Sequence, residues 1–187
     1  MYKKCGIKKF PIDCEYILSS FGYRVRTYRD ILAQSPEAAA LSKQFSEDSF
    51  ADKINNLVLY NHKVNTGRAR FSKMHELGHI VLNHIGKCQT YEDEADNFAS
   101  NILAPRPIIY YKELKTCDEI HDYFGISYSA ANNVITDMKH WEPNPATYNP
   151  MVHHFTANPE KDELESFIEM LELFNPRLLF KGATYSF

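Results

Sequence analysis

Apolar residues recur along much of the chain at three- and four-residue steps, the period of a helix with one buried face. Residues 12–21 place Ile12, Tyr16, Ile17 and Phe21 near one side, and Gly22 follows as a stop. Residues 67–85 carry a stripe of Phe71, Met74, Gly78, Val81 and Ile85. Residues 91–104 set Ala95, Phe98, Ala99, Ile102 and Leu103 on an inner side, and Pro105 and Pro107 end that pattern. Residues 113–139 read as two short helices around Gly125-Ile126-Ser127. Ser35-Pro36-Glu37 has the N-cap, early proline and acidic first turn that open a helix, here an alanine-rich one. Asn158-Pro159 caps a last helix with a stripe of Leu164, Phe167, Ile168, Leu171 and Phe174.

Strand patterns are fewer. Leu57-Val58-Leu59-Tyr60, between asparagines, is the clearest, and Tyr23–Tyr28 alternates Tyr, Val and Thr with Arg. The polar stretch Phe45–Lys53 reads as loop. Residues 141–150, rich in proline, read as a linker. The final segment, 178–187, is apolar enough to pack against something. The expected architecture is α+β, mainly helical with a small β-sheet. It divides into a domain over residues 1–140, with the helical pair at 113–139, and a linker with a helical appendage over 141–187.

Composition narrows the function classes. With 187 residues and 44% hydrophobic content, the chain can bury a core without disulfide staples. The 21 basic and 24 acidic residues give a net charge of −3, too balanced to argue for a nucleic-acid or membrane partner. No stretch has the apolar length of a spanning helix, and the N-terminus has no signal-peptide pattern. Cys5, Cys14, Cys88 and Cys117 form no C-x-x-C pair and read as reduced, mostly buried thiols, which points to the cytosol.

The chemistry concentrates in His75-Glu76-Leu77-Gly78-His79, an H-E-x-x-H on a helix. Residues four apart lie one above the other on a helix, so both imidazoles can reach one zinc ion. Glu76 lies near the same face and is placed to take a proton from the attacking water without being a ligand. Gly78 costs about 1 kcal/mol of helix stability relative to alanine. That cost makes sense if another backbone must approach closely.

A catalytic zinc takes three protein ligands and keeps one open position. A third histidine of the extended motif is excluded, because Ile85 stands where it would fall. His84 is one residue short and reads as a helix-end histidine pointing elsewhere. The next helix offers Glu92, Asp93, Glu94 and Asp96. Glu92 and Asp93 fall in the first turn, where acidic residues often serve only the helix dipole. Spacing favours Glu94 as the third ligand, one turn before Phe98.

Three separated blocks carry a family resemblance: Arg70-Phe71-Ser72-Lys73-Met74-His75-Glu76-Leu77-Gly78-His79, Glu94-Ala95-Asp96-Asn97-Phe98-Ala99, and Ile102-Leu103-Ala104-Pro105. In this order they resemble the R-F-x-x-A-H-E-x-G-H, E-A-N-x-F-A and L-L-M-P pattern of the ImmA/IrrE metallopeptidases. Phe124-Gly125-Ile126-Ser127 is similar to the family's F-x-V-S segment, so the resemblance covers roughly residues 55–140. It implies a zincin-like helical core with one Zn²⁺, held by His75, His79 and Glu94, and with Glu76 as the base. It also implies a helix-turn-helix repressor as substrate, in mobile-element or stress regulation. Met74, Asp96 and Ala104 depart from the family's usual alanine, asparagine and methionine.

Two further roles arise for the site. The substrate would lie extended along Leu57–Tyr60 if that strand is a sheet edge. Tyr60, Tyr91 and His121 are the candidates for a second group stabilising the oxyanion.

Two rivals accompany this reading. Glu119–Met138 has a helix-turn-helix outline, but its second helix, SYSAANNVITDMK, contains no arginine, so direct nucleic-acid binding is not expected. A metal-containing module that grips a repressor without cutting it would need the same groove as a protease.

Overall fold

The computed structural model describes residues 2, 5–37, 40 and 46–141. In chain order the elements are α1 (Cys14–Ser20), β1 (Arg24–Thr27), α2 (Tyr28–Gln34), β2 (Ser49–Asp52), β3 (Leu57–Tyr60), α3 (Thr66–Val81), α4 (Gln89–Leu103), α5 (Arg106–Tyr111), α6 (Cys117–Phe124) and α7 (Tyr128–Met138). The fold is mainly helical α+β with one small mixed sheet. The proline-rich linker, the helix after Asn158-Pro159 and the last apolar segment lie outside the described residues. So does most of the alanine-rich helix expected after Ser35-Pro36-Glu37.

The sheet runs in the order β1-β3-β2. β1 pairs parallel with β3, with Val25 opposite Val58. β2 pairs antiparallel with β3, with Ala51 opposite Val58. The clearest strand of the sequence is therefore the middle one, and the stretch expected to be loop supplies an edge. Ser49-Phe50-Ala51-Asp52 has no apolar alternation to announce a strand; pairing with β3 makes it one. The tight turn after it has a local cause. The Asp52 carboxylate accepts hydrogen bonds from the backbone of Ile54 and Asn55, and Asn56 adopts a left-handed conformation with φ 50°. α2 was also not expected. It opens on a capping box in which the Thr27 hydroxyl accepts from the Asp30 N–H and the Asp30 carboxylate accepts from the Thr27 N–H.

α3 and α4 form the centre of the molecule. The expected inner residues of α4, Ala95, Phe98, Ala99, Ile102 and Leu103, are all buried. In α3 the stripe holds at Met74 and Gly78 but not below, because the helix ends at Val81. Ile85 is then 81% exposed. At Gly78 the expected close approach is present: a Cβ there would lie 3.0 Å from the Ala95 Cα and 3.3 Å from its Cβ. The start of α3 is equally tight. A Cβ on Gly67 would lie 2.4 Å from the Ser127 backbone nitrogen, so α3 and the α6–α7 turn touch backbone to backbone. Arg70 strengthens that junction, donating to the carbonyls of Ile12 and Phe124.

Pro105 and Pro107 end α4, yet a new helix begins at once. Pro107 sits in the first turn of α5, where its missing N–H costs nothing. Arg106 is buried, and its guanidinium donates to the carbonyls of Ser100 and Ala104 at the buried C-terminal end of α4. It also pairs with the Asp137 carboxylate at 2.6 Å, tying α7 to the core. Asp137→Ala strands this cation in the interior. We expect a loss on the order of 3 kcal/mol of folding stability, read as a lower urea midpoint; an unchanged midpoint would show the pair to be dispensable.

Candidate metal centre and catalytic cleft

His75 and His79 lie one turn apart on α3, and their Nε2 atoms face each other at 2.9 Å. The third group beside them is Glu92. Its carboxylate lies 3.3 Å from His75 Nε2 and 3.7 Å from His79 Nε2. Ligands of a tetrahedral zinc with bonds of about 2.0–2.1 Å stand about 3.3 Å apart. The three separations bracket that value, and two imidazole nitrogens with a carboxylate are a zinc-type donor set. Among the described residues this is the group whose donor atoms gather closely enough to hold an ion.

Glu94, which the sequence favoured as third ligand, points elsewhere: its carboxylate meets His84 Nε2 at 2.9 Å. The cause is the angular spacing on α4. Ala95 rests on Gly78, which fixes how α4 is rotated against α3. Residues 92 and 96 then lie on one side of that contact, four apart and stacked, while 91 and 94 lie on the other. The first-turn position of Glu92, which had suggested a dipole role, is what carries it to the histidines. Asp96 follows it one turn later and meets His75 Nδ1 at 2.7 Å.

With the three rings neutral and both Nε2 lone pairs turned toward an ion, the remaining hydrogen bonds place the protons one way. Asp96 can only accept, so His75 carries its proton on Nδ1 and leaves the Nε2 lone pair free. Glu94 can only accept, so His84 carries its proton on Nε2, and its bare Nδ1 accepts from His79 Nδ1 at 2.9 Å. His79 too is left with a free Nε2 lone pair. In that state both rings present unprotonated nitrogen to the same point, the form a metal requires. Burial pulls the His75 pKa down, but the Asp96 hydrogen bond and the charges of Glu76, Asp96 and Glu92 outweigh it, and the net shift is upward. Burial and a positively charged His75 push His79 down to about 4.

His84 was expected at a helix end, pointing away. Instead the chain leaves α3 at Leu82, turns through Asn83 at φ 55°, and folds His84 back beneath His79. The ring is buried and stacked on Tyr91 at 4.4 Å and 10°. Lys53, from the β2–β3 turn, donates to the carbonyls of both His79 and His84 and holds this turn closed.

Glu76 is buried, with its Oε1 accepting a 2.7 Å bond from the Ser49 hydroxyl. The Ala51 N–H also bonds to it. Burial raises its pKa, against the opposing pull of Ser49, His75 and Ala51. A carboxylate with a raised pKa is a better proton acceptor for general-base work. Both of its partners come from β2, so the strand that the sequence did not announce orients this carboxylate.

These groups line a cleft of about 1870 Å³. One wall is β2, from Ser49 to Asp52, the outer edge of the sheet; β3 lies behind it and does not form this edge. The opposite wall includes His121 and the start of α7 at Ser127, Tyr128 and Ala130. The helix that resembled a DNA-recognition helix thus turns its first residues into the cleft. Of the three suggested oxyanion donors, His121 lines the cleft. Tyr60 lies beneath the Lys73 ammonium and Tyr91 under His84.

Comparison with known proteins agrees with this geometry. The family described as IrrE N-terminal-like domain, Peptidase_M78, matches residues 30–136, more than half of the chain. The chain belongs to this family. No curated protein and no solved structure matches it. The match spans α3, α4 and the helical pair, the elements that carry the cleft, and membership supports a zincin-like core and metallopeptidase activity. Among the described residues no helix is long and apolar enough to cross a membrane.

The α3–α4 contact has a direct test. Gly78→Ala favours the helix by about 1 kcal/mol on propensity alone. Its methyl would press on the Ala95 backbone and move Glu92 and Asp96 away from His75. We expect a net destabilisation of about 1–3 kcal/mol and at least tenfold weaker zinc binding, measured by thermal unfolding and chelator competition. A more stable protein with unchanged zinc affinity would refute the close-contact argument.

Proposed function

We propose that the chain is a cytosolic zinc-dependent endopeptidase that cuts a helix-turn-helix repressor at a defined site, acting as an anti-repressor in mobile-element or stress regulation. The single observation that carries the catalytic part is the meeting of His75 Nε2, His79 Nε2 and the Glu92 carboxylate at one point, with Glu76 on the same helix. Substrate class and anti-repressor role rest on the family resemblance. The cytosolic setting rests on the four cysteines, none of which forms a disulfide.

His75, His79 and Glu92 would hold the ion. A zinc ion bound by them supplies Lewis acidity, polarising the scissile carbonyl and acidifying water. The residues of the chain do the rest. Glu76, fixed by Ser49 and Ala51, takes the proton of the attacking water and hands it to the departing amine. The β2 edge offers a template on which an extended segment can add as a further strand, beside the base. An extended segment suits a linker or an unwound stretch of the substrate better than a folded helix.

Glu76→Gln keeps the three metal-holding side chains and removes the proton acceptor. It should bind zinc as the wild type does and lose peptide cleavage by roughly 10²–10⁴-fold, scored by mass spectrometry on a peptide library. Chelation should silence the wild type and added zinc should restore it. Equal cleavage by the Gln variant would remove Glu76 from the mechanism. Stable capture of an uncut partner by wild type and variant alike would favour the gripping module over the protease.

A further inference from the structure

Two ring nitrogens face the metal position, and each ring has a second nitrogen to be accounted for. On His75 that nitrogen is bonded directly to a carboxylate, Asp96, at 2.7 Å. On His79 it is bonded to another imidazole, His84, at 2.9 Å, and His84 in turn to the carboxylate of Glu94 at 2.9 Å. The two arms end alike, on α4 carboxylates, but one has a ring interposed.

We propose that His84 and Glu94 are positioning residues for the metal. Together they form a hydrogen-bonded chain that fixes His79 with its proton on Nδ1 and strengthens it as a ligand through Nε2. This rests on the reading of His75, His79 and Glu92 as the metal-holding set. The physical argument is directional. A neutral imidazole has one donor and one acceptor nitrogen, so an acceptor at one end of a row of rings dictates the state of every ring in it. Glu94 is that acceptor on the His79 arm, as Asp96 is on the His75 arm, and the two arms meet with both Nε2 lone pairs facing the ion. The negative charge of Glu94 draws the Nε2 proton of His84, which makes His84 Nδ1 a stronger acceptor, which in turn draws the Nδ1 proton of His79. A ligating histidine whose distal N–H is engaged in this way is a more basic and better oriented donor.

The surroundings are built for the role. His84 is 7% exposed and stacked on Tyr91, so its ring cannot swing out. Lys53 clamps the carbonyls of His79 and His84, keeping the two rings in register across the turn. Glu94 is about half exposed at the end of the chain, where a charge can stay solvated. The turn at Asn83 has a purpose in this arrangement, since a helix running on to residue 85 would carry His84 away from His79.

The test is a double-mutant cycle on zinc affinity, by chelator competition with the full-length protein at one pH. Melting of the metal-free form is followed in parallel. Glu94→Gln should weaken zinc binding roughly ten- to hundredfold, with the melting temperature of the metal-free protein unchanged. His84→Phe keeps the stacking on Tyr91 but breaks the chain, and should weaken binding to a similar extent. In the His84→Phe background, Glu94→Gln should add nothing. Full additivity of the two would overturn the proposal, as would wild-type affinity in Glu94→Gln. If Glu94 were itself a ligand, Glu94→Gln would abolish binding in both backgrounds while Glu92→Gln spared it, which also overturns it. Should His84→Phe fail to fold, ¹⁵N spectra of the zinc-loaded wild type decide: His84 protonated on Nε2 and bare on Nδ1 supports the chain, and the opposite tautomer rejects it. A wild type that binds no zinc would instead sink the underlying function reading.

Discussion

One contact sets the rest of the site: the bare backbone of Gly78 against Ala95, where α3 and α4 cross with nothing larger than the Ala95 methyl between them. Helices normally pack 8–10 Å apart, with the spacing set by the side chains at the crossing. Here glycine and alanine bring the two axes close and also fix the rotation of α4 about its own axis. That rotation decides which acidic residue meets which histidine. Glu92 and Asp96 fall beside His75, and Glu94 falls beside His84. A rotation by one residue, about 100°, would hand the histidines a different set of side chains. The grouping of His75, His79 and Glu92 is thus a consequence of helix packing before it is a property of the H-E-x-x-H sequence.

The same packing explains why so many charged and polar groups can stand together in a half-buried place. Asp96, Glu94 and Glu76 are each matched to a donor, and His75 and His79 each have the distal nitrogen engaged. Burial works against the charged form of His79 and of Glu76. For His79 the result is a neutral ring, the state that can ligate. For Glu76 the result is a more basic carboxylate. One physical effect, desolvation, prepares both members of the motif for opposite tasks.

What the sequence disclosed follows from how local each feature is. The helix of the H-E-x-x-H, the inner face of α4 and the pair of helices around Gly125 all have periodic signals within a single segment, and all are present. The need for a close approach at Gly78 was legible because glycine in a helix carries a cost that only packing repays. The features that were not legible depend on relations between segments. β2 is a strand because β3 lies beside it, not because of its own pattern. The third metal-holding group depends on the rotation of α4, and spacing within α4 cannot supply that. His84 depends on a left-handed turn at Asn83, a residue that tolerates this conformation without announcing it.

β2 deserves its place at the centre of any account of catalysis because it does two things with one backbone. Through Ser49 and Ala51 it holds the Glu76 carboxylate. Along the same four residues it forms the wall of the cleft and the open edge of the sheet. A peptide that pairs with this edge is placed against the very strand that aims the base, so the position of the scissile bond and the position of the proton acceptor share one frame of reference. A segment that shifts its register along β2 moves by a residue step of about 3.3 Å, which takes a carbonyl out of reach of a base held rigidly in place. In the proposed function, choice of cleavage site is a matter of strand register, and the peptidase would select by the shape and extension of the segment it admits as well as by its side chains.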